Sequence, residues 1–358
     1  MSAGHSQHAA SSQPTGLSAD QIDRLSQCLR AEGLIGQEKL VLNPLTGGQS
    51  NPTFLMTSGA NRYVLRKKPP GPLLPSAHAV DREYRVMKAL QNTPVPVPKM
   101  FLFSDDESIV GTPFYVMAFL QGRVFMDQSL PGMSNAERGQ IYAEMNRVIA
   151  DLHLVKPEAV GLETFGKAGN YFARQIGRWS KQYLESHADD IPALRNLIDW
   201  LPQHIPAGDL TSVVHGDYRL DNLVFHPTEA CVIGVLDWEL STLGHPLADF
   251  SYHCMSWHIP ATLWRGIGGL DLAALGIPSE PEYVEMYAQK TGLSAQEHWD
   301  FYIAYNLFRM AAILDGIARR ALDGNAAAAD AVETGKKARP LAEIGWHYAQ
   351  RYQSKPRS

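Results

Sequence analysis

The sequence of 358 residues predicts an α+β fold, in which a small antiparallel sheet is followed by a larger, mainly helical region. Two observations lead to this prediction. Short strand-like segments are concentrated before residue 121, and long segments with helical periodicity dominate after it. We therefore divide the chain into a disordered tail over residues 1–17, a helix and small lobe over 18–120, and a helical lobe over 121–358.

The small lobe is predicted to begin with a helix and a meander of strands. Ser18 can cap a helix that runs to Gly33, because its hydroxyl satisfies free amide groups at the helix start. Three strand-like segments separated by turn-forming residues follow. We predict that they pair as an antiparallel meander: KLVLNPL, TFLMTS and RYVLRKK.

One helix and two strands complete the predicted small lobe. Val80, Tyr84, Met87 and Leu90 recur at helical spacing between residues 76 and 92, and the proline-rich TPVPVP stops the pattern. KMFLFSD and PFYVMAFL then have the composition of strands. A boundary between the lobes near Leu120 follows.

The helical lobe contains one short region of strands. Helices are predicted over residues 135–155 and 170–187 and along most of 295–352. Between them, three apolar segments resemble strands and flank a group of polar residues: TSVVH, NLVFH and CVIGVLDW. We expect the chemistry of this lobe to lie among those polar residues.

The composition indicates a cytoplasmic protein that acts on a small molecule. A formal net charge of -5 gives no basic surface for nucleic acid, and the three cysteines form no C-x-x-C pair typical of a zinc ribbon. The opening residues MSAGHSQHAASSQPTG lack the pattern of a secretory signal, and no apolar run is long enough to span a membrane. We expect no nucleic-acid or membrane partner, and the oligomeric state stays open.

One short stretch, HGDYRLDN, has the spacing of a phosphoryl-transfer loop. His215, Asp217 and Asn222 match the pattern H-x-D-x-x-x-x-N, and the strand CVIGVL then leads to Asp237. Phosphoryl transfer requires cations that bridge the phosphates and a group that accepts the proton of the attacking hydroxyl. Mg²⁺ prefers oxygen ligands and keeps several waters, so Asn222 and Asp237 suffice as protein ligands when ATP supplies the others. Asp217 is then predicted as the base.

Three neighbouring residues extend this pattern. Arg219 lies two residues after Asp217, where we predict that it neutralises charge on the transferring phosphoryl group. Glu239 is predicted as a further carboxylate near a second metal ion. His215 is expected to brace the loop by hydrogen bonding rather than to transfer a proton. Each residue taken singly is compatible with an ordinary turn, so the prediction depends on their order.

The strand YVLRKK predicts part of a nucleotide site in the small lobe. Val64 and Arg66 share one face because alternate strand residues point the same way. They match the arrangement V-A-I-K, which places Val64 under the adenine and Arg66 at the phosphates, with Glu83 as its partner. Arginine departs from the protein-kinase lysine but keeps the charge. Lys67 and Lys68 are interpreted as solvated charges on an edge strand, and which basic residue contacts the phosphates stays open.

Two further segments are candidates for nucleotide binding. Gly47, Gly48 and Ser50 lie in a turn between two strands, where glycine allows backbone amides to approach phosphates. Met117 and Phe119 lie in the strand FYVMAFL, at the place where the backbone of a kinase-like hinge would pair with adenine. The alternatives are an ordinary hairpin turn for the first segment and plain strand core for the second.

Together these segments resemble a known family. HGDYRLDN, LDWE, GHPLADF and YVLR, with Glu83, are similar to the aminoglycoside phosphotransferase superfamily over residues 40–350. The resemblance implies a protein-kinase-like bilobal fold, ATP and Mg²⁺ as cofactors, and a hydroxyl as phosphoryl acceptor. It also implies that Asp249 braces the catalytic loop from a following helix; the alternative is a helix-start aspartate stabilised by free amide groups.

A closer resemblance concerns one subgroup. VLRKKPPGPLLPSAHAVDREYRVMKAL and VLDWELSTLGHPLADFSYH resemble the kinase-like portion that is fused to some acyl-CoA dehydrogenases. That subgroup shares Arg66 and implies phosphorylation of a hydroxyl such as that of a hydroxyacyl-CoA. We expect no dehydrogenase domain within these 358 residues, so that a dehydrogenase name for the chain would be a transfer from the fused relatives.

Two alternative functions stay open. An aminoglycoside or amino-alcohol phosphotransferase would need an acidic surface for a cationic acceptor. Charges after Asp249 are nearly balanced and mildly favour an anionic acceptor, because several basic residues are prominent there: Arg319, Arg320, Lys336, Lys337 and Arg339. A nucleotide-binding pseudokinase that acts as an interaction module is disfavoured by the complete set of acidic and amide residues.

Overall fold

The computed structural model describes residues 16–45, 51–71, 79–185, 190–322 and 331–355. Three candidate phosphate contacts, Gly47, Gly48 and Ser50, lie outside these residues, as does most of the predicted N-terminal tail. Backbone alone is described for Arg320. The predictions for these parts of the chain stay predictions.

The described residues form two compact units. The first unit contains the described residues as far as Asn92, together with Val97–Gln121 and Leu236–Glu239. The second contains Thr93–Pro96, Gly122–Val235 and the described residues from Leu240 onward. The short segment Leu236–Glu239 therefore belongs with the N-terminal part of the chain, although it is distant in sequence.

The first unit is built on an antiparallel sheet. Its helices and strands are α1 (Ala19–Ala31), β1 (Val41–Pro44), β2 (Thr53–Ser58), β3 (Asn61–Lys67), α2 (Val80–Leu90), β4 (Met100–Ser104), α3 (Glu107–Val110) and β5 (Phe114–Ala118). The five strands lie in the order β1-β2-β3-β5-β4, and every neighbouring pair is antiparallel. The predicted meander is confirmed as β1, β2 and β3, and the two further strands as β4 and β5.

Helix α1 begins as the sequence predicts. The hydroxyl of Ser18 accepts a hydrogen bond from the backbone amide of Gln21, and the Gln21 side chain accepts one from the amide of Ser18. This reciprocal capping box satisfies amide groups that have no partner in the first helical turn. Leu25 and Leu29 then pack with Leu65 and other sheet residues in one apolar cluster.

Lys67 does not lie where the sequence analysis placed it. Its strand, β3, is central in the sheet, and Lys67 is only 7% exposed. Its Nζ donates a hydrogen bond of 2.7 Å to the carbonyl of Val110, and burial lowers the pKa of the ammonium. The interpretation of Lys67 as a solvated charge on an edge strand is therefore wrong, because a strand paired on both sides offers no such edge.

The second unit is mainly helical. Its elements are α4 (Asn135–Leu154), α5 (Tyr171–Glu185), α6 (Pro192–Trp200), β6 (Ser212–Val214), β7 (Leu223–Phe225), β8 (Val232–Val235), β9 (Thr242–Gly244), α7 (Pro246–Cys254), α8 (Leu272–Leu275), α9 (Glu280–Thr291), α10 (Trp299–Leu322), α11 (Ala331–Gly335) and α12 (Ala338–Ser354). Strand β6 pairs with β9, and β7 pairs with β8. The three predicted strands are present, and β9 is an addition that three residues, TLG, could not signal.

Helix α10 fixes the position of α7, which adjoins the loop between β6 and β7. The side-chain nitrogen of Asn306 donates to the Ala248 carbonyl at 3.1 Å and to the Ser251 hydroxyl at 2.7 Å. Asn306 is fully buried, so these bonds tie α7 to a long helix in the interior of the unit. None of the helices described here combines the length and apolarity of a membrane span.

Candidate active site

The first unit contains a buried cluster of charges around Arg66. Arg66 Nε lies 2.9 Å from Glu83 Oε2 as an ion pair, and Arg66 Nη2 donates to Asp237 Oδ1 at 3.1 Å. Glu239 Oε2 is 3.9 Å from the same Nη2. We call Arg66, Glu83, Asp237 and the two residues described next the Arg66 cluster. It joins the predicted phosphate-contacting arginine to its predicted partner and to the candidate metal ligand.

Two residues that the sequence analysis missed complete this cluster. Asn51 Nδ2 donates to Glu83 Oε1 at 2.8 Å, and the Tyr115 hydroxyl donates to Glu83 Oε2 at 2.9 Å. Tyr115 stands directly opposite Arg66 in the pairing of β3 with β5, so it shares the same sheet face. The register of the two strands would have identified Tyr115, whereas nothing local in the sequence marks Asn51.

The charges of the cluster depend on one another. Burial would lower the pKa of Arg66, but Glu83, Asp237 and Glu239 outweigh it and raise that pKa above its ordinary value. Burial raises the pKa of Glu83, against the opposing effects of Arg66 and of the hydrogen bond from Tyr115. Arg66 therefore stays charged, and Glu83 is the member whose ionisation is costly.

Asp237 has an unusual backbone. Its φ is +65°, which lies in the left-handed region that residues other than glycine rarely adopt. Strain of this kind is typical of functional sites, where the surrounding structure holds it in place. The carboxylate is 34% exposed, so one side of it is accessible to a ligand while Arg66 holds the other.

Two of the residues predicted to contact adenine, Val64 and Met117, lie on one face of the sheet. Val64 of β3 stands opposite Met117 of β5, and the two are 5% and 8% exposed. Phe119 follows the end of β5 and is partly exposed. Val64 and Met117 are therefore neighbours on the face that carries Arg66, while their contact with a nucleotide stays a prediction.

The second unit contains the loop between β6 and β7, residues 215–222, which we call the Asp217 loop. Asn222 Nδ2 donates to the backbone carbonyl of Asp217 at 2.9 Å and to its Oδ2 at 3.2 Å. Arg219 Nη2 lies 3.2 Å from the same Oδ2. Asp217 is thus in direct contact with Asn222, which shares its predicted spacing pattern, and with Arg219, which was predicted as its neighbour in the site.

Asp249 holds the backbone of the Asp217 loop. Its carboxylate accepts hydrogen bonds from the amides of His215 at 2.8 Å and Gly216 at 2.7 Å, and it lies 3.1 Å from His153 Nε2. Burial would raise the pKa of Asp249, but the bonds from His153 and the loop outweigh it and lower that pKa. This is the bracing arrangement that the family resemblance implies. His215 adds to it, since its Nδ1 accepts from the amide of Asp217 at 3.2 Å.

Gly216 is required by the shape of this loop. Its φ is +83°, and a Cβ there would lie 2.7 Å from the carbonyl oxygen of Leu240. A side chain would therefore force the backbone away from Leu240 and weaken the amide contacts with Asp249.

An ion-pair chain extends from the Asp217 loop. Arg219 Nη2 lies 3.4 Å from Asp221 Oδ2, and Arg265 Nη1 donates to that same oxygen at 2.9 Å. Arg265, like Asp237, has a positive φ, +45°. The sequence analysis missed Asp221 and Arg265, because the contact joins positions 44 residues apart in the chain.

A pocket adjoins these ion pairs within the second unit, with about 310 Å³ of empty space that includes open solvent. Arg219, Arg265 and Tyr252 contribute polar groups, and Met255, Ile259 and Trp264 contribute apolar surface. The Tyr252 hydroxyl also donates to Asp217 Oδ1 at 2.5 Å. Among the described residues that line the pocket, none is acidic. It therefore presents a mixed apolar and basic surface beside Asp217.

Comparison with a known family decides the class of the protein. The model of the phosphotransferase enzyme family, APH, matches residues 41–305. The chain belongs to the phosphotransferase enzyme family. This membership confirms the predicted protein-kinase-like α+β fold and the prediction of a phosphotransferase that acts on an alcohol group.

Individual relatives agree with this assignment. A Ralstonia eutropha protein of known structure, assigned as an aminoglycoside phosphotransferase, is 54% identical, covers 92% of this chain and 98% of its own, and has a TM-score of 0.84. An aminoglycoside phosphotransferase solved as a ternary complex with ADP and hygromycin B is 13% identical, with 92% and 99% coverage and a TM-score of 0.61. At that identity the second structure supports the fold alone.

The resemblance to the dehydrogenase-fused subgroup is also confirmed. Mouse acyl-CoA dehydrogenase family member 10 is 46% identical over 332 residues, which make up 91% of this chain and 31% of the mouse protein. The phosphotransferase chain therefore spans about a third of that relative.

Proposed function

We propose that this phosphotransferase transfers the γ-phosphoryl group of ATP to a hydroxyl group, with Mg²⁺ as the metal ion, and that the acceptor is a hydroxyacyl-CoA. The observation that carries the proposal is the Asp217 loop, in which a carboxylate fixed by Asn222 and Arg219 adjoins a partly apolar pocket. The first unit would bind the nucleotide and the second the acceptor. A cytoplasmic location is part of the proposal.

The oxygen ligands suit a hard divalent cation. Asn222 uses its amide nitrogen on Asp217, so its carbonyl oxygen is the atom left for a metal ion. Asp237 contributes a partly exposed carboxylate, and two protein ligands are common for Mg²⁺ when phosphates and waters supply the others. Glu239 would serve as a further carboxylate. The bound cation neutralises charge on the phosphate oxygens.

Arg66 would contact the phosphates through its guanidinium. That group has five N–H donors, and its ion pairs with Glu83 and Asp237 fix its direction while leaving donors for phosphate oxygens. Val64 and Met117 would pack against the adenine, with the backbone near Phe119 pairing with its edge. Gly47, Gly48 and Ser50 would supply amide donors to the phosphates.

Asp217 would orient the acceptor hydroxyl and take its proton as the new O–P bond forms, while the bond from the γ-phosphorus to the bridging oxygen breaks and ADP leaves. Its carboxylate accepts from several donors, which fix the direction in which it faces an acceptor. A loose phosphoryl-transfer transition state requires positioning and charge stabilisation above all. Arg219, held by Asp217 and Asp221, would stabilise charge on the transferring group.

The pocket supports an acyl acceptor more than an aminoglycoside. An aminoglycoside carries several ammonium groups, which carboxylates recognise, and the described lining contains two arginines and no acid. Met255, Ile259 and Trp264 offer apolar surface suited to an acyl chain. The name of the mouse relative supports the same acceptor class.

An ATP-consumption screen tests the proposal. The wild-type protein would be incubated with MgATP and with hydroxyacyl-CoAs, amino alcohols or aminoglycosides. ATP consumption would be measured, and phosphorylated products would be identified by mass spectrometry. We expect a phosphorylated hydroxyacyl-CoA and a rate about 10³-fold lower for Asp217→Asn. Asp199→Asn, at an exposed position of the same unit, is the control and should keep the wild-type rate.

The alternatives correspond to other outcomes of this screen. Phosphorylation of aminoglycosides or amino alcohols alone would reject a hydroxyacyl-CoA as the acceptor and would support phosphoryl transfer from ATP to a hydroxyl group. Binding of MgATP without transfer to any acceptor would favour the pseudokinase.

A further inference from the structure

We propose that Tyr252 is a positioning residue that holds the carboxylate of Asp217, so that helix α7 fixes both the backbone and the catalytic side chain of the Asp217 loop. This inference rests on the proposed function, because it assigns Tyr252 to the same reaction. It adds a second contact to the bracing by Asp249.

The two contacts come from one face of α7. Asp249 and Tyr252 are three residues apart, a spacing that places side chains on the same side of a helix. Asp249 accepts from the amides of His215 and Gly216, whereas Tyr252 donates to Oδ1 of Asp217. One contact therefore fixes the path of the loop, and the other fixes the direction of its carboxylate.

Tyr252 is itself held in place. It is 2% exposed, and the guanidinium of Arg309 lies 5.0 Å from the centre of its ring. Arg309 Nη2 also donates to the carbonyl of Gly216 at 2.8 Å. Arg309 belongs to α10, which Asn306 ties to α7. The phenol is thus fixed before any acceptor binds, which is what a positioning residue requires.

Tyr252 determines which orientation of Asp217 is stable. Its hydroxyl serves Oδ1, while Asn222 and Arg219 serve Oδ2, so rotation of the carboxylate would break contacts at both oxygens. Burial, together with Asp217, raises the pKa of Tyr252 well above its ordinary value, and the phenol remains a donor at neutral pH. Because Tyr252 also lines the pocket, it stands where an acceptor hydroxyl would approach Asp217.

The test is Tyr252→Phe, which removes the hydroxyl and keeps the ring. We expect kcat to fall roughly 10- to 100-fold, the loss associated with one hydrogen bond to a charged group, with KM for ATP within about twofold of wild type. Crystal structures of both proteins should show the Asp217 carboxylate displaced in the variant. Tyr183→Phe, which removes another buried hydroxyl bonded to the amide of Ile191, is the matched control and should keep the wild-type kcat.

The two measurements decide the inference separately from the proposed function. An Asp217 carboxylate in its wild-type position in Tyr252→Phe overturns the inference, whatever the rate. A displaced carboxylate with unchanged kcat also overturns it. If wild type phosphorylates no acceptor, the proposed function fails, and the crystal structures alone decide whether Tyr252 positions Asp217.

Amide exchange distinguishes positioning from general loosening. In Tyr252→Phe the amides of His215 and Gly216 should keep their protection, because Asp249 still accepts from them. Exchange of these amides at least tenfold faster than in wild type would show that Tyr252 supports the loop as a whole, and the positioning role would be rejected.

Discussion

The Arg66 cluster and the Asp217 loop are held in place by different kinds of contact. Each is organised by a buried carboxylate: Glu83, at 1% exposure, lies within the cluster, and Asp249 of α7, at 4%, contacts the loop. Glu83 contacts three side chains from separate segments of the first unit. Asp249 instead accepts from two backbone amides of one loop and contacts one histidine. The first arrangement orients a charged side chain, and the second fixes the path of the chain.

This difference predicts how each region responds to change. A cluster of side chains can lose one partner and keep the others, whereas a loop that loses its backbone acceptor leaves two buried amides without a partner. We therefore expect the Asp217 loop to be the more sensitive region.

The largest effect is expected for Asp249→Asn. Asparagine has one side-chain oxygen acceptor and no charge, so it cannot replace the contacts that the carboxylate makes with two amides and His153. The free energy of unfolding should therefore fall by about 3 kcal/mol and kcat by about 100-fold. Urea unfolding and steady-state kinetics measure the two effects. Asp300→Asn is the matched control, since Asp300 is also buried but pairs with Arg351 away from the loop; it should lose stability and keep kcat. Equal losses of kcat in both variants would contradict a specific role for Asp249.

A smaller effect is expected for Glu83→Gln. Glutamine keeps one oxygen acceptor, and Arg66 retains Asp237 and Glu239 as partners, so we expect kcat/KM for ATP to fall about tenfold and the free energy of unfolding by about 1 kcal/mol. Nucleotide titrations and urea unfolding measure these changes. The exposed Glu107→Gln in the same unit should match wild type. A stability loss as large as that of Asp249→Asn would remove the proposed difference between the two regions.

The smallest effect concerns the pH dependence of stability, where the two carboxylates should differ in sign. The folded pKa of Asp249 is lowered, so its stabilising contribution is present above its ordinary value of 3.8 and is lost as the pH falls below it. The folded pKa of Glu83 is raised, so its contribution is present below 4.5 and is lost as the pH rises through the folded value.

Urea unfolding between about pH 3 and 7 separates these two contributions. The stability gap between wild type and Asp249→Asn should narrow as the pH falls. The gap between wild type and Glu83→Gln should narrow as the pH rises. Gaps that change in the same direction would show that the two carboxylates do not differ as described.

The sequence by itself determined the features that depend on short spacing. The cap of α1 at Ser18, the period-two alternation that puts Val64 beside Arg66, and the eight residues from His215 to Asn222 each lie within a few turns or strand positions. Local geometry decides which way such side chains point, so a pattern is sufficient to predict them. The pairing of Arg66 with Glu83 was predicted from the kinase-like pattern rather than from spacing, and the structure confirms it.

Only the tertiary structure decided which distant residues meet. Tyr252 reaches Asp217 across 35 residues, Asn51 reaches Glu83 across 32, and Arg265 reaches Asp221 across 44. Lys67 was misplaced for the same reason, since its burial follows from the position of β3 between β2 and β5. A hydrogen bond requires two atoms to lie within about 3 Å of each other. Sequence patterns fix the direction of one side chain at a time, and the packing of helices and strands determines whether a partner stands there.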